Sequence, residues 1–152
     1  MNHEDHEEIE GLEDDPLFRV SGMRLPSPLS PEAEVAMRET IGAAIAVHRA
    51  LGPGFLESIY RKAMCLELDA RNVSYEVERP VRVTYRDIEI PGQRVDLVVE
   101  GLIVAELKSV VRIDEGHRAQ LISYLRTTGL RGGLLINFRV PILKQGLKRV
   151  VL

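Results

Sequence analysis

The sequence predicts an α/β fold, a mixed β-sheet flanked by helices, and three observations carry that prediction. Two helical patterns lie on either side of Gly52-Pro53-Gly54, a run of strand patterns fills residues 75–109, and a third helix with two short strands follows. Helices placed before and after a set of strands indicate helical layers packed on a sheet. A length of 152 residues suits one domain with a real core.

Composition narrows the function classes. Hydrophobic residues make up 45%, yet no apolar run approaches the roughly 18 residues that span a bilayer. The N-terminus is acidic rather than basic and then apolar, so no secretory signal is expected. The single cysteine, Cys65, excludes an intramolecular disulfide and any Cys-rich metal site. A cytoplasmic protein without membrane contact is the expectation. The net charge of −3 hides an asymmetry, because residues 1–30 alone carry eight Asp/Glu and two Arg. That leaves a mildly basic remainder, compatible with a polyanionic partner but common in proteins that bind none.

In chain order, residues 1–30 read as a disordered acidic tail and linker: acid, His and Gly first, then Pro26, Pro28 and small polar residues. Residues 31–152 form the expected domain. Ser30, Pro31, Glu32 and Glu34 make a helix start, with a capping hydroxyl, proline in the first turn and acids that favour the dipole. Val35, Ile41, Ile45 and residues 47–51 suggest its apolar stripe. A second helix is expected over residues 55–71, closed by Asn72, with Glu57 and Tyr60 sharing one face. Strands follow at 75–79 and 81–85. A third helix over 116–127 would turn Leu121, Ile122 and Leu125 inward, put Gln120 and Tyr124 on one face, and end at Gly129. Residues 134–137 and 148–152 read as strands, either core strands or edges through which two subunits pair.

The most informative stretch is residues 93–109, QRVDLVVEGLIVAELKS, two strands folded back at Glu100-Gly101. Strand periodicity puts Val95, Leu97 and Val99 on one face and Asp96 on the other; Glu106 and Lys108 share a face with Leu102 and Val104. A three-residue connection centred on Gly101 sets Asp96 opposite Glu106, whereas a two-residue loop separates their faces. Two carboxylates held together in apolar surroundings are costly unless a cation sits between them. The alternative is a wet hairpin face with three ordinary surface charges.

Residues outside the hairpin resemble a known family. Gly54-Phe-Leu-Glu57-Ser-Ile-Tyr60 is similar to the signature of the small bacterial GxxExxY proteins of the PD-(D/E)XK nuclease superfamily. The resemblance continues through Ile41-Gly42 with His48, Arg94-Val95-Asp96, Glu106-Leu107-Lys108, His117 with Ala119-Gln120, Tyr124-Leu125 and residues 134–138. It covers roughly residues 35–152 and departs where Val95, rather than proline, precedes Asp96. It implies a restriction-endonuclease-like PD-(D/E)XK core. It also implies that Asp96 and Glu106 ligate Mg²⁺ or Mn²⁺ with the Leu107 carbonyl, and that Glu57 reaches the same metal directly or through water. Lys108 would position or activate the attacking water. Gln120 and Tyr124 look like the Gln-x-x-x-Tyr element of RecB-type nucleases, supporting the site and the nucleic-acid strand.

The chemistry is consistent with those residue types, since phosphodiester hydrolysis suits a hard cation on carboxylates and a positive charge near the nucleophile. Each residue also has a plainer reading. Glu57 is an ordinary first-turn acid, Tyr60 a core aromatic supporting the site or touching substrate, and His117 and Arg118 a phosphate contact or a solvated helix start. His48 and Asn137 read as packing or sheet-shaping residues. The resulting expectation is a metal-dependent nuclease with DNA favoured over RNA as substrate, acting alone, as a homodimer or with a protein partner. The competing expectations are a non-catalytic nucleic-acid-binding or assembly module on the same fold, and an enzyme for some other phosphoester.

Overall fold

The computed structural model describes residues 27–152, together with two-residue strands at Arg19–Val20 and Met23–Arg24 that pair antiparallel. The rest of the expected acidic tail lies outside the described residues. Helices α1 (Pro31–Leu51) and α2 (Glu57–Ala70) lead into strands β1 (Tyr75–Tyr85), β2 (Ile88–Val99) and β3 (Ile103–Lys108). Helix α3 (Glu115–Thr128) then crosses to β4 (Gly132–Asn137), and a 3-10 turn at Leu143–Gly146 precedes β5 (Leu147–Val151). The five strands lie in sequence order in one mixed sheet, parallel only between β3 and β4. This is the expected α/β arrangement.

The sheet divides the core in two. Leu97, Val99, Ile103, Ala105, Leu107, Leu134 and Ile136 pack with α1 and α2, while Val98, Val104, Leu135 and Val150 pack under α3. Alternate residues of each strand feed opposite faces, as a sheet covered on both sides requires. Gly133 permits the close approach of α3, because a Cβ there would stand 2.9 Å from Leu121 Cδ1.

The helix ends follow their local chemistry. Ser30 Oγ accepts from the Ala33 amide at 3.1 Å and caps α1, which closes at Gly52 with φ 70°. Val35, expected in the stripe of α1, is instead 57% exposed. The buried positions Ala33, Met37, Ile41, Ala44 and His48 recur at helical spacing, and Val35 falls almost opposite them. Helix α2 begins at Glu57, two residues later than expected, because Leu56 takes the cap position in an extended conformation.

Three further expectations change. The strands expected on either side of Pro80 are one, since β1 is an edge strand, where a proline is tolerated. Strand β2 begins at Ile88, closing on β1 through Arg86-Asp87, both at positive φ as a two-residue hairpin turn demands. Residues 134–136 are no edge: β4 lies between β3 and β5 and is fully buried.

The packed chain begins before α1. Leu29 is buried in the α1/α2 core, and the Ser27 hydroxyl and Arg149 guanidinium both bond the Glu34 carboxylate. Burial alone would raise the Glu34 pKa, but these bonds hold it below the usual range. Leu29→Ala is expected to cost about 2–4 kcal/mol and Ser30→Ala about 1 kcal/mol in urea denaturation. A Leu29 loss below about 0.5 kcal/mol, the scale of an ordinary surface substitution, would mean that this strap is not docked.

Candidate active site

The connection between β2 and β3 is the three-residue kind. Leu97 pairs with Ala105, Val98 with Val104 and Val99 with Ile103, leaving residues 100–102 as the turn. Glu100 and Gly101 adopt φ 54° and 66°, the second a conformation suited to glycine. Continuing this register sets Asp96 opposite Glu106, but there the backbone ladder stops.

At that point the two side chains replace the ladder. The Asp96 amide donates to Glu106 Oε1 at 2.9 Å, and the Leu107 amide donates to Asp96 Oδ2 at 2.9 Å. Beyond it β2 pairs with β1 alone and β3 with β4. The break also shifts the alternation of β2. Val95 packs in the α3 cluster, whereas Leu97 and Val99 pack on the other face, so the expected single face of Val95, Leu97 and Val99 is divided. On the neighbouring strand, Glu78 adopts φ 49° at the same level.

Glu106 is 4% exposed, and its carboxyl is pushed up to about 8. Burial is the larger cause and the Asp96 charge the next; the Asp96 amide and the Lys108 charge oppose them. Leu107 presents its backbone to the same gap. The Lys108 carbonyl faces β4 and accepts from the Phe138 amide at 3.0 Å, so the neighbouring Leu107 amide and carbonyl face β2 and Asp96.

Helix α3 brings the remaining expected groups over this pair. Lys108 Nζ donates to Gln120 Oε1 at 3.2 Å. Tyr124 is 3% exposed, and its hydroxyl is pushed up to about 12 by burial and by the charges of Glu106 and Asp96. It is therefore a proton donor and not a base at neutral pH. His117 caps α3 reciprocally with Asp114: each backbone amide bonds the other side chain at 3.0 Å. The Asp114 carboxyl is held below its usual range, chiefly by the His117 amide. His117 Nδ1 is thus committed to the cap, and Arg118 is exposed on the same turn.

Two expected residues stand apart. Glu57 Oε1 accepts from the Ser109 amide at 3.2 Å, just past the end of β3. Among the described residues no three His, Cys, Asp or Glu side chains gather closely enough to share a metal. Tyr60, an expected substrate contact, is fully buried. It stacks on Phe138 at 4.3 Å and its hydroxyl bonds the Gly52 carbonyl and the Phe55 amide, so it anchors the loop before Glu57.

The structure adds Arg61 and Ser109, which the sequence did not single out, and gives Asn137 and His48 the shaping and packing roles expected of them. Arg61, one helical turn after Glu57, ion-pairs with Asp96 Oδ1 at 3.4 Å and with Glu78 Oε1 at 3.3 Å. Its i+4 spacing from Glu57 was the available signal. Ser109 Oγ bonds the Phe55 carbonyl at 2.9 Å, tying α2 to the end of β3. Asn137 bonds both the amide and the carbonyl of Val110, at 3.1 and 2.8 Å, and so shapes the chain leaving β3. His48 is a packing residue, bonded to the Val140 carbonyl at 2.8 Å.

A carboxylate pair where two strands part, a lysine two residues after the second acid and a covering helix form one recognisable core. The family model of the PD-(D/E)XK nuclease superfamily matches residues 34–150. This chain belongs to that superfamily. No curated protein and no solved structure shows a significant match to the chain. PD-(D/E)XK nucleases generally use divalent metals, and their fold implies a nucleic-acid substrate. No helix among the described residues is long and apolar enough to cross a membrane.

The residues present fit a divalent cation. Their donors are hard oxygens: two carboxylates and a carbonyl edge. The raised Glu106 pKa carries a stability consequence. Because folding raises the Glu106 pKa from 4.5 to about 8, the folded state holds the extra proton between those values. The contribution is full below pH 4.5 and is lost as pH rises to about 8. In chelator, Glu106→Gln is expected to flatten this decline and to melt above the native protein at pH 8. An unchanged pH profile in the variant would place the linked proton elsewhere.

Proposed function

We propose that this chain is a Mg²⁺- or Mn²⁺-dependent nuclease that hydrolyses phosphodiester bonds, with DNA as the favoured substrate over RNA. The observation that carries this reading is the pairing of half-buried Asp96 with buried Glu106 at the parting of β2 and β3, with Lys108 beside it. Family membership supports the reaction class. Resemblance to GxxExxY proteins supports a small bacterial enzyme working in the cytoplasm.

In this reading Asp96, Glu106 and the Leu107 carbonyl would hold the metal, with Glu57 at the adjacent helix end reaching it directly or through water. When bound, the ion would polarise a phosphoryl oxygen and lower the pKa of water. The chain's own residues do the rest. Glu106 is preset by the Asp96 amide and Asp96 by the Leu107 amide, so neither must reorganise to bind. Gln120 holds Lys108 Nζ at 3.2 Å, aiming a compact positive charge at the water and the phosphate. Tyr124, kept protonated near the carboxylates, hydrogen-bonds Gln120 and so supports its hold on Lys108. His117 and Arg118 open α3, whose N-terminus favours a neighbouring phosphate.

Asp96→Ala and Glu106→Ala are each expected to reduce metal-dependent cleavage at least 10³-fold, the scale of several kcal/mol of lost charge stabilisation. The assay compares linear, circular and single-stranded DNA with RNA, in metal and in chelator. Full activity in either variant would remove this site.

Lys108→Ala is expected to lower turnover about 100-fold or more while leaving calorimetric metal affinity within a few-fold. Equal loss of both would make Lys108 a structural charge. Metal binding without cleavage in the native protein would favour the non-catalytic nucleic-acid-binding module.

A further inference from the structure

Arg61 reaches from α2 into the carboxylate site. Its Nη1 stands 3.4 Å from Asp96 Oδ1 and its Nη2 3.3 Å from Glu78 Oε1. One planar group thus joins α2 to both strands of the hairpin at the level where their pairing is interrupted. The other Asp96 oxygen is held by the Leu107 amide. Oδ1 is therefore the Asp96 oxygen open to a cation, and it is the one Arg61 faces.

We infer that Arg61 is an exchangeable counter-ion: it neutralises Asp96 before metal binds, yields Oδ1 to the metal, and then grips a backbone phosphate of the nucleic acid. This rests on the metal-dependent nuclease reading. Three observations support the exchange. The 3.4 Å separation is long for a charge-assisted bond, which usually spans about 2.7–2.9 Å, so the hold on Asp96 is weak. The Arg61 side chain is 29% exposed, so leaving Oδ1 takes it towards water and not through the core. Glu78, half exposed, still tethers Nη2 after Nη1 has left.

The released group suits a phosphate. A guanidinium cannot lose its proton in a protein, so displacement by metal leaves a full positive charge at the mouth of the site. Its planar fork matches phosphate oxygens in pairs, which a lysine does not. Metal and guanidinium repel each other at one oxygen, so each occupies Oδ1 only when the other is absent. Metal binding would therefore arm the substrate grip.

The test is calorimetric titration of Mn²⁺ into the full chain, native and Arg61→Ala, at neutral pH. The variant is expected to bind Mn²⁺ about threefold more tightly or better, since an exposed competing ion pair is removed. Labelled-oligonucleotide anisotropy in Mn²⁺, on a Lys108→Ala background to prevent cleavage, is expected to weaken by a similar factor when Arg61→Ala is added. Arg61→Gln, which keeps length and polarity without charge, carries the same expectation if the alanine variant fails to fold. A native protein that binds Mn²⁺ and variants that bind it no more tightly would overturn the exchange while leaving the nuclease reading intact. A variant that loses metal affinity and melting temperature together would make Arg61 a structural brace. Binding only in the variants would support the counter-ion directly, and binding in neither would remove the metal site and the exchange with it.

Discussion

The pair of hydrogen bonds by which the Glu106 and Asp96 carboxylates take up the Asp96 and Leu107 amides is the constraint on which the rest of the site depends. Where the β2–β3 ladder ends, each strand would present unpaired amides to a buried gap, and such groups are costly. The Asp96 amide is satisfied by Glu106 and the Leu107 amide by Asp96. The two acids thus solve a backbone problem and create an electrostatic one. Their oxygens are fixed close together, and burial leaves Glu106 poorly solvated. The strands can part only because the carboxylates are there, and the carboxylates are held only because the strands part.

The two helical layers serve this junction from opposite sides. Helix α3 lies close on β4 over Gly133, which brings Tyr124 and Gln120 above Glu106 and Lys108. Helix α2 is fixed at its start by the stack of Tyr60 on Phe138 and by the Ser109 bonds to Phe55 and Glu57. That anchoring sets where Arg61 emerges one turn later. Core packing and site geometry are therefore one system: loosening Tyr60 would move the loop before Glu57 and, with it, the guanidinium beside Asp96.

Much of this was legible in the sequence because it follows from local rules. Ser30-Pro31, Gly52 and Gly129 mark helix ends by their own conformational preferences, and Glu100-Gly101 marks a turn, whose three-residue form in the structure sets Asp96 opposite Glu106. Gln120 and Tyr124 share a face because four residues make about one helical turn. What stayed hidden depends on tertiary partners. Continuation of β1 through Pro80 is tolerated because β1 lies at an edge, a property of the whole sheet. Burial of Tyr60 needs Phe138 from a distant strand, and the shift of Val95 to the α3 cluster needs the ladder break itself. Arg61 was invisible for a related reason: its partners, Asp96 and Glu78, come from two other elements.

Under the proposed function, the electrostatics favours a working site over a scaffold that keeps only the fold. A module without need of a cation would be more stable with an apolar or amide pair at these positions, since buried like charges are a net cost. Here that cost is met by a proton favoured on Glu106 and by a guanidinium resting loosely against Asp96. On the proposed reading both are charges that a divalent ion would replace, whereas the amide bonds that set the geometry belong to the strands. Permanent groups hold the shape and exchangeable groups hold the charge. That division is what a cation site needs and what a scaffold has no reason to maintain.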